Sequence, residues 1–145
     1  MTLSIQEISD RLEIQDLLVA YSHAIDHHEW DALDDVFTAD AVIDYTEMGG
    51  PRGNLAETKA FLASAMKMFT AFQHMQATTK LTFDGADRAH GKTICHNPMM
   101  VTDGDGNPHM MFCGLWYRDT FVRTPDGWRI KDRYEERSYL RDFPG

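Results

Sequence analysis

Few residues of this chain stand where their type and spacing could do chemistry. Asp26 ends an apolar helical stripe beside Ile25, where an anion meets the unfavourable end of the helix dipole. His74 opens a run of alternating residues. Spacing alone makes Asp26 an exposed helix terminus and His74 a polar residue on a half-exposed strand, and periodicity does not join the two. Metal-like patterns are incomplete. Asp103-x-Asp105-x-Asn107 opens like a calcium loop, yet Pro108 and Gly114 stand where the loop needs Gly and Glu, so it reads as a turn. His23 and His27 lie one helical turn apart without a third ligand at a supporting spacing, and read as a solvated helix end. Cys95 and Cys113 form neither a zinc motif nor a disulfide framework, and are expected to stay reduced. There is no glycine-rich phosphate loop and no Gly-x-Ser-x-Gly elbow. The expectation is chemistry without cofactor or metal. Arg129, Lys131, Arg133 and Arg137 read as an exposed, basic sheet face. Nine methionines suit a core, and equally a plastic apolar cavity.

The elements that must position these residues follow from patterning. Ile5, Ile8, Leu12, Leu17, Leu18, Tyr21 and Ile25 predict one amphipathic helix over about 5–27, opened by a Ser4–Glu7 capping box. A short helix is expected in EWDALDDVF, a strand in 41–45, turn chemistry in MGGPRGN and a third helix through LAETKAFLASAMKMFTAF. From 74 to 83 the chain alternates, with Met75, Ala77, Thr79, Leu81 and Phe83 on one face. Strands over 89–101, about 108–123 and from Trp128 to about Tyr139 follow, with DGDGN as a hairpin loop and TPDG as a turn. Helices first and an antiparallel meander after them mean an α+β fold in a single domain, 1–145. Fourteen basic against 23 acidic residues give a net charge of −9, which argues against nucleic acid and anionic membranes as partners. The polar, acidic start and the lack of a long apolar run predict a cytoplasmic protein.

The run IQDLLVAYSHAIDHHEWDALDDVFTADAVIDY, then FQHM, then DGWRIKDR, resembles the SnoaL-like branch of the nuclear-transport-factor-2-like superfamily. Within it, the chain is similar to scytalone dehydratase, bile acid 7α-dehydratase and hexachlorocyclohexane dehydrochlorinase. The resemblance implies a cone, a curved antiparallel sheet wrapped over three N-terminal helices, with an apolar cavity at the open end. It implies that Asp26 of AIDHHEWD and His74 of FQHM form a cofactor-free catalytic dyad. Tyr21 matches a tyrosine of the bile acid enzyme, and Tyr45 a substrate-binding tyrosine of scytalone dehydratase. Cys95, Asn97 and Tyr117 match pocket positions of the dehydrochlorinase, and Arg133 its active-site arginine. Met99 stands where scytalone dehydratase has a second pocket histidine. Simple alternation puts Arg133 on the face opposite Trp128 and Ile130, so a bulge is needed to turn it inward.

An aspartate that fixes an imidazole tautomer suits a base that takes a proton from an activated carbon. The resemblance therefore implies a lyase, dehydratase-like, eliminating across a small hydrophobic cyclic or polyketide-like substrate. A ketosteroid-isomerase-like proton shuttle and a non-catalytic binding module are the alternatives. The enzymes resembled are dimers or trimers, and a homodimer or homotrimer through the sheet is expected, with Phe112, Trp116 and Phe121 in the contact.

Overall fold

The structure is a computed structural model, and it describes residues 2–144. Helix α1, Ile5–Asp26, is capped at Ser4, whose hydroxyl accepts from the Glu7 amide at 3.1 Å. Its buried residues include Ile14, Leu17, Leu18, Tyr21, Ala24 and Ile25, at the three- and four-residue steps of one helical face. Ile5, Ile8 and Leu12, expected on that stripe, are exposed. At 3.6 residues per turn they fall with Val19 on the opposite side of the helix. The helix carries two apolar faces, which simple spacing merges into one. Asp10 takes the inward place near the helix start, accepting from Trp128 Nε1 at 3.0 Å and Arg123 Nη2 at 2.9 Å.

The expected second short helix is a 3-10 helix, Trp30–Asp35, which leads into β1, Phe37–Asp44, longer than expected. After β2, Arg52–Gly53, helix α2 runs from Leu55 to Ala65 and is held by an Asn54–Glu57 capping box. The expected helix continuing to Phe72 ends sooner. Met66–Met68 is a 3-10 turn, and Phe69–Phe72 is a strand, β3, that pairs with the strand Arg88–Thr102. β4 is Met75–Phe83, β5 Arg88–Thr102, β6 Pro108–Thr124 and β7 Gly127–Pro144.

The seven strands form one sheet in the order β2-β1-β7-β6-β5-β3, with β4 also on β5. It is α+β as expected, but the sheet is mixed: β1 runs parallel to β7, with Ile43 beside Arg133. The long β5–β6–β7 meander curves around α1, whose inward face meets Phe37, Tyr117 and Ile130 in the core.

Two irregularities decide which side chains face that core. Register shifts between Gln76 and Thr79, so Gln76 turns inward and Met75 is exposed, reversing the simple alternation there. In β7, Phe121 pairs with Ile130 but Thr120 with Asp132, which leaves Lys131 as an extra residue. Trp128 and Ile130 are buried before this bulge, and Arg133 and Glu135 after it. Phe121, expected in a subunit contact, is fully buried in the core.

Candidate active site

His74 lies in the break between β3 and β4, so its backbone N–H is spared from the ladder. That N–H donates to Asp26 Oδ2 at 3.0 Å, and the ring Nδ1 meets Asp26 Oδ1 at 2.7 Å. Asp26 is the last residue of α1, where the helix dipole disfavours an anion, and two donors from one residue offset that. An ionised carboxylate only accepts, so Nδ1 carries the hydrogen and Nε2 keeps its lone pair. Asn97 Nδ2 stands 3.1 Å from Nε2 and donates to it. The side chains of His74 and Asp26 are 8% and 17% exposed, which leaves this pair sheltered yet reachable.

The pair borders a cleft of about 810 Å³ between α1 and β4, lined by Leu18, Val19, Ser22, His23, Gln76 and Thr79 among others. Gln76 donates to Leu18 O at 2.9 Å and Ser22 Oγ at 2.7 Å, tying the strand to the helix.

Behind the pair lies a buried aromatic and polar cluster. The Tyr21 ring is 6.3 Å from His74, 6.0 Å from Phe37 and 5.5 Å from Tyr117. Tyr21 and Tyr45 share a hydrogen bond of 2.7 Å between hydroxyls. Burial pushes the Tyr21 phenol up to about 12 and the Tyr45 and Tyr117 phenols well above their usual range, so all three keep their protons. Cys95 is buried and its thiol is likewise pushed up to about 12, which makes it an apolar wall rather than a nucleophile. Cys95 and Cys113 are free thiols. The register sets Cys95 beside Leu115 and Asn97 beside Cys113, so the cysteines are diagonal neighbours. Met99 is buried beside Phe72 across the β3–β5 pair.

Arg133 sits in this interior. Its guanidinium lies 4.0 Å from the ring centres of both Tyr21 and Tyr117, and binds both oxygens of Asp119 at 2.8 Å. Burial disfavours its charge, but Asp119 more than reverses that and holds it well above the usual range. The expected exposed basic face therefore lacks Arg133. Asn97 Oδ1, Tyr117 OH and Arg133 Nη1 are all buried without a hydrogen-bond partner among the described residues. Buried polar atoms rarely stay unpaired, and these would suit an oxygen-bearing ligand.

Asp10, Ser22, Gln76, Asp119 and Glu135 were not singled out from the sequence. Glu135 had a usable signal, since it follows Arg133 by two residues and must share its face. Glu135 is 8% exposed, and burial first, then the nearby Asp119 and Asp44, push its carboxyl up to about 8 against the pull of Arg133. Between the ordinary 4.5 and about 8 the folded chain therefore holds a proton that the unfolded chain has lost. The protonated form gives its full stability below pH 4.5, and that contribution is lost as pH rises through 8. Denaturant unfolding should show stability falling by on the order of a few kcal/mol from this group across the interval. Glu135→Gln should flatten the slope, and equal slopes in the two proteins would contradict the assignment.

No group of three or more His, Cys, Asp or Glu that could hold a metal forms among the described residues. The Asp103–Asn107 segment is a hairpin loop in which Asp103 accepts from the Asp105 and Asn107 amides at 2.9 and 2.8 Å. No helix among the described residues is long and apolar enough to cross a membrane.

A family profile for the SnoaL-like domain matches residues 6–134. The uncharacterized protein Rv2910c of Mycobacterium tuberculosis is 50% identical over 139 residues, spanning 96% of this chain and 92% of that protein. The Kfla4162 protein of Kribbella flavida superposes with a TM-score of 0.83 at 27% identity, covering 93% of this chain and 95% of that one. The hexachlorocyclohexane dehydrochlorinase LinA-type3 of Novosphingobium barchaimii has a TM-score of 0.85 at 16% identity, covering 97% and 94%, a likeness of fold.

Proposed function

Because the chain belongs to the SnoaL-like domain family, we propose that it is a cofactor-free lyase in which His74 and Asp26 abstract a proton from carbon. The observation that carries this reading is the contact of 2.7 Å between His74 Nδ1 and Asp26 Oδ1. It orients Nε2, the only ring nitrogen with a lone pair, and lets the carboxylate stabilise the imidazolium that forms. A substrate that displaces the Asn97 amide from Nε2 would offer its C–H there. General base catalysis contributes on the order of 10²–10⁴-fold, so the carbon must already be acidified by a neighbouring carbonyl. Tyr21, Tyr45, Tyr117, Arg133, Cys95 and Met99 lie buried behind the cleft and do not line it, so for them to hold that carbonyl oxygen and a small hydrophobic, ring-containing substrate the molecule must reach past His74. Elimination of a β-hydroxyl from such a molecule is a dehydration. The dehydrochlorinase of the same fold is named for an elimination.

A panel of β-hydroxy ketones and enones, read by product mass, tests this. Loss of one water supports the lyase. A product of unchanged mass with a shifted double bond would replace the lyase with an isomerase, and retention of every compound unchanged would replace it with a binding module.

We also propose a homodimer or homotrimer through the sheet. Ile94, His96, Phe112, Trp116 and Tyr139 form an aromatic and apolar patch on its outer face, where His96 bonds the Tyr139 hydroxyl at 2.7 Å and stacks on Phe112. Light scattering is expected to give two or three times 16.6 kDa, and Trp116→Glu should reduce it to one. Wild-type protein scattering as a monomer at micromolar concentration would end this proposal.

A further inference from the structure

We propose that Glu135 is the acid of the elimination, giving its proton to the leaving oxygen while His74 takes the proton from carbon; this rests on the lyase reading above. The geometry begins with a mismatch of charges. Beside the tyrosines the interior holds one guanidinium, Arg133, and two carboxyls, Asp119 and Glu135, while the third buried carboxyl, Asp10, is bound by Trp128 and Arg123. Arg133 is committed to Asp119 by two bonds of 2.8 Å, and no ion pair to Glu135 forms among the described residues. A carboxyl buried without a cation avoids its charge by keeping its proton, and so becomes a donor.

Its position suits the role. Glu135 lies directly across the β6–β7 ladder from Tyr117, and Tyr117 packs on Tyr21, which packs on His74. The Tyr117 hydroxyl stands close to Glu135, Cys95 and Tyr21 without meeting hydrogen-bond geometry to any of them. The Cys95 thiol feels the charges of both Asp26 and Glu135, and a substrate reaching past the cleft at His74 toward Tyr117 would meet the Glu135 carboxyl. The groups around Glu135 are Arg133 on its own strand, Tyr117, Asp119 and Cys113 on β6, Cys95 on β5, Tyr21 on α1, and Asp44 and Tyr45 at the end of β1. Among them Arg133 alone is cationic.

The step balances. Nε2 of His74 takes the proton α to the carbonyl, and that C–H pair becomes the new C=C bond. The β C–O bond breaks, its electrons stay on oxygen, and the Glu135 proton completes a water molecule. Imidazolium and carboxylate remain, and one proton returned from His74 to Glu135 through water restores both.

The experiment compares a benzylic β-hydroxy ketone with its β-acetoxy counterpart, because acetate leaves without protonation. The wild type should eliminate both. Glu135→Gln, similar in shape, should slow loss of water by about 10²–10⁴-fold and loss of acetate by less than about threefold. His74→Ala should slow both. Water loss by the wild type should fall above about pH 8, a limb absent for acetate. Infrared difference spectra of wild type against Glu135→Gln at pH 7 should show the carbonyl stretch of an un-ionised carboxyl. Equal slowing of both substrates by Glu135→Gln, or slowing of neither, overturns the proposal. So does absence of that stretch, whatever the activity. If the wild type eliminates neither compound, the lyase reading falls and takes the donor role with it. Equal slowing, by contrast, leaves the lyase reading standing.

Discussion

His74→Ala is expected to lower turnover by about 10²–10⁴-fold, because it removes the atom that accepts the proton. Asp26→Asn should fall in the same range for a different reason. The amide can still occupy the site beside Nδ1, but it cannot stabilise an imidazolium, and it can hold the ring in the wrong tautomer. Both proteins should fold, since neither side chain belongs to the apolar core. Because Asp26 holds both the ring and the backbone N–H of His74, at 2.7 and 3.0 Å, the pair should behave as one unit. The double variant should then be little worse than the worse single. The measurement is kcat on whichever panel compound the wild type converts. Losses that multiply in the double variant would show the residues acting on separate steps.

Asp119→Asn is expected to cost about 3–5 kcal/mol of stability, the penalty for stranding a buried charge. Asp119 and Arg133 are both without solvent exposure, so water cannot relieve the guanidinium. The Asn variant can offer one acceptor where the carboxylate offered two oxygens at 2.8 Å. Replacing both partners at once, Asp119→Leu with Arg133→Met, should cost much less, because no lone charge remains. Urea unfolding of the single and double variants reads the difference. A single variant as stable as the wild type would mean that Arg133 finds another partner, with Glu135 the nearest candidate. In that case Glu135 should ionise at lower pH.

The fold was legible where periodicity was simple and local. The helix ending at Asp26, the 103–107 hairpin and the long strands follow from spacing and turn residues alone. Three things were not legible for stated physical reasons. LAETKAFLASAMKMFTAF has apolar spacing that serves a helix or an edge strand, and pairing with β5 decides for the strand after Met68. Ile5, Ile8 and Leu12 continue a stripe numerically while standing on the other side of the helix. The bulges at Gln76–Thr79 and at Lys131 change which face a residue takes, and no single residue type announces them. For the site, the separation of Asp26 and His74 hides their contact from any local pattern, and only the resemblance joined them. Arg133 was understood conditionally, since alternation showed that it needed a bulge to turn inward. Glu135 escaped because a glutamate in a strand of charged residues looks solvated until that bulge is known.

The parallel pairing of β1 with β7 also orders the birth of the molecule. Ile43 waits for Arg133, and Phe37 for Ile130, so the sheet's far side cannot form until nearly the whole chain has left the ribosome. Loops of that length close slowly, because the entropy is lost before the contacts form. Until then the inner face of α1, with Tyr21 and Ile25, has only part of its sheet to cover it. A chain stopped before Gly127 would hold Asp26 and His74 but neither Arg133 nor Glu135. Each nascent copy therefore acquires His74 early and Glu135 last, after a period in which its apolar surfaces are open to neighbours.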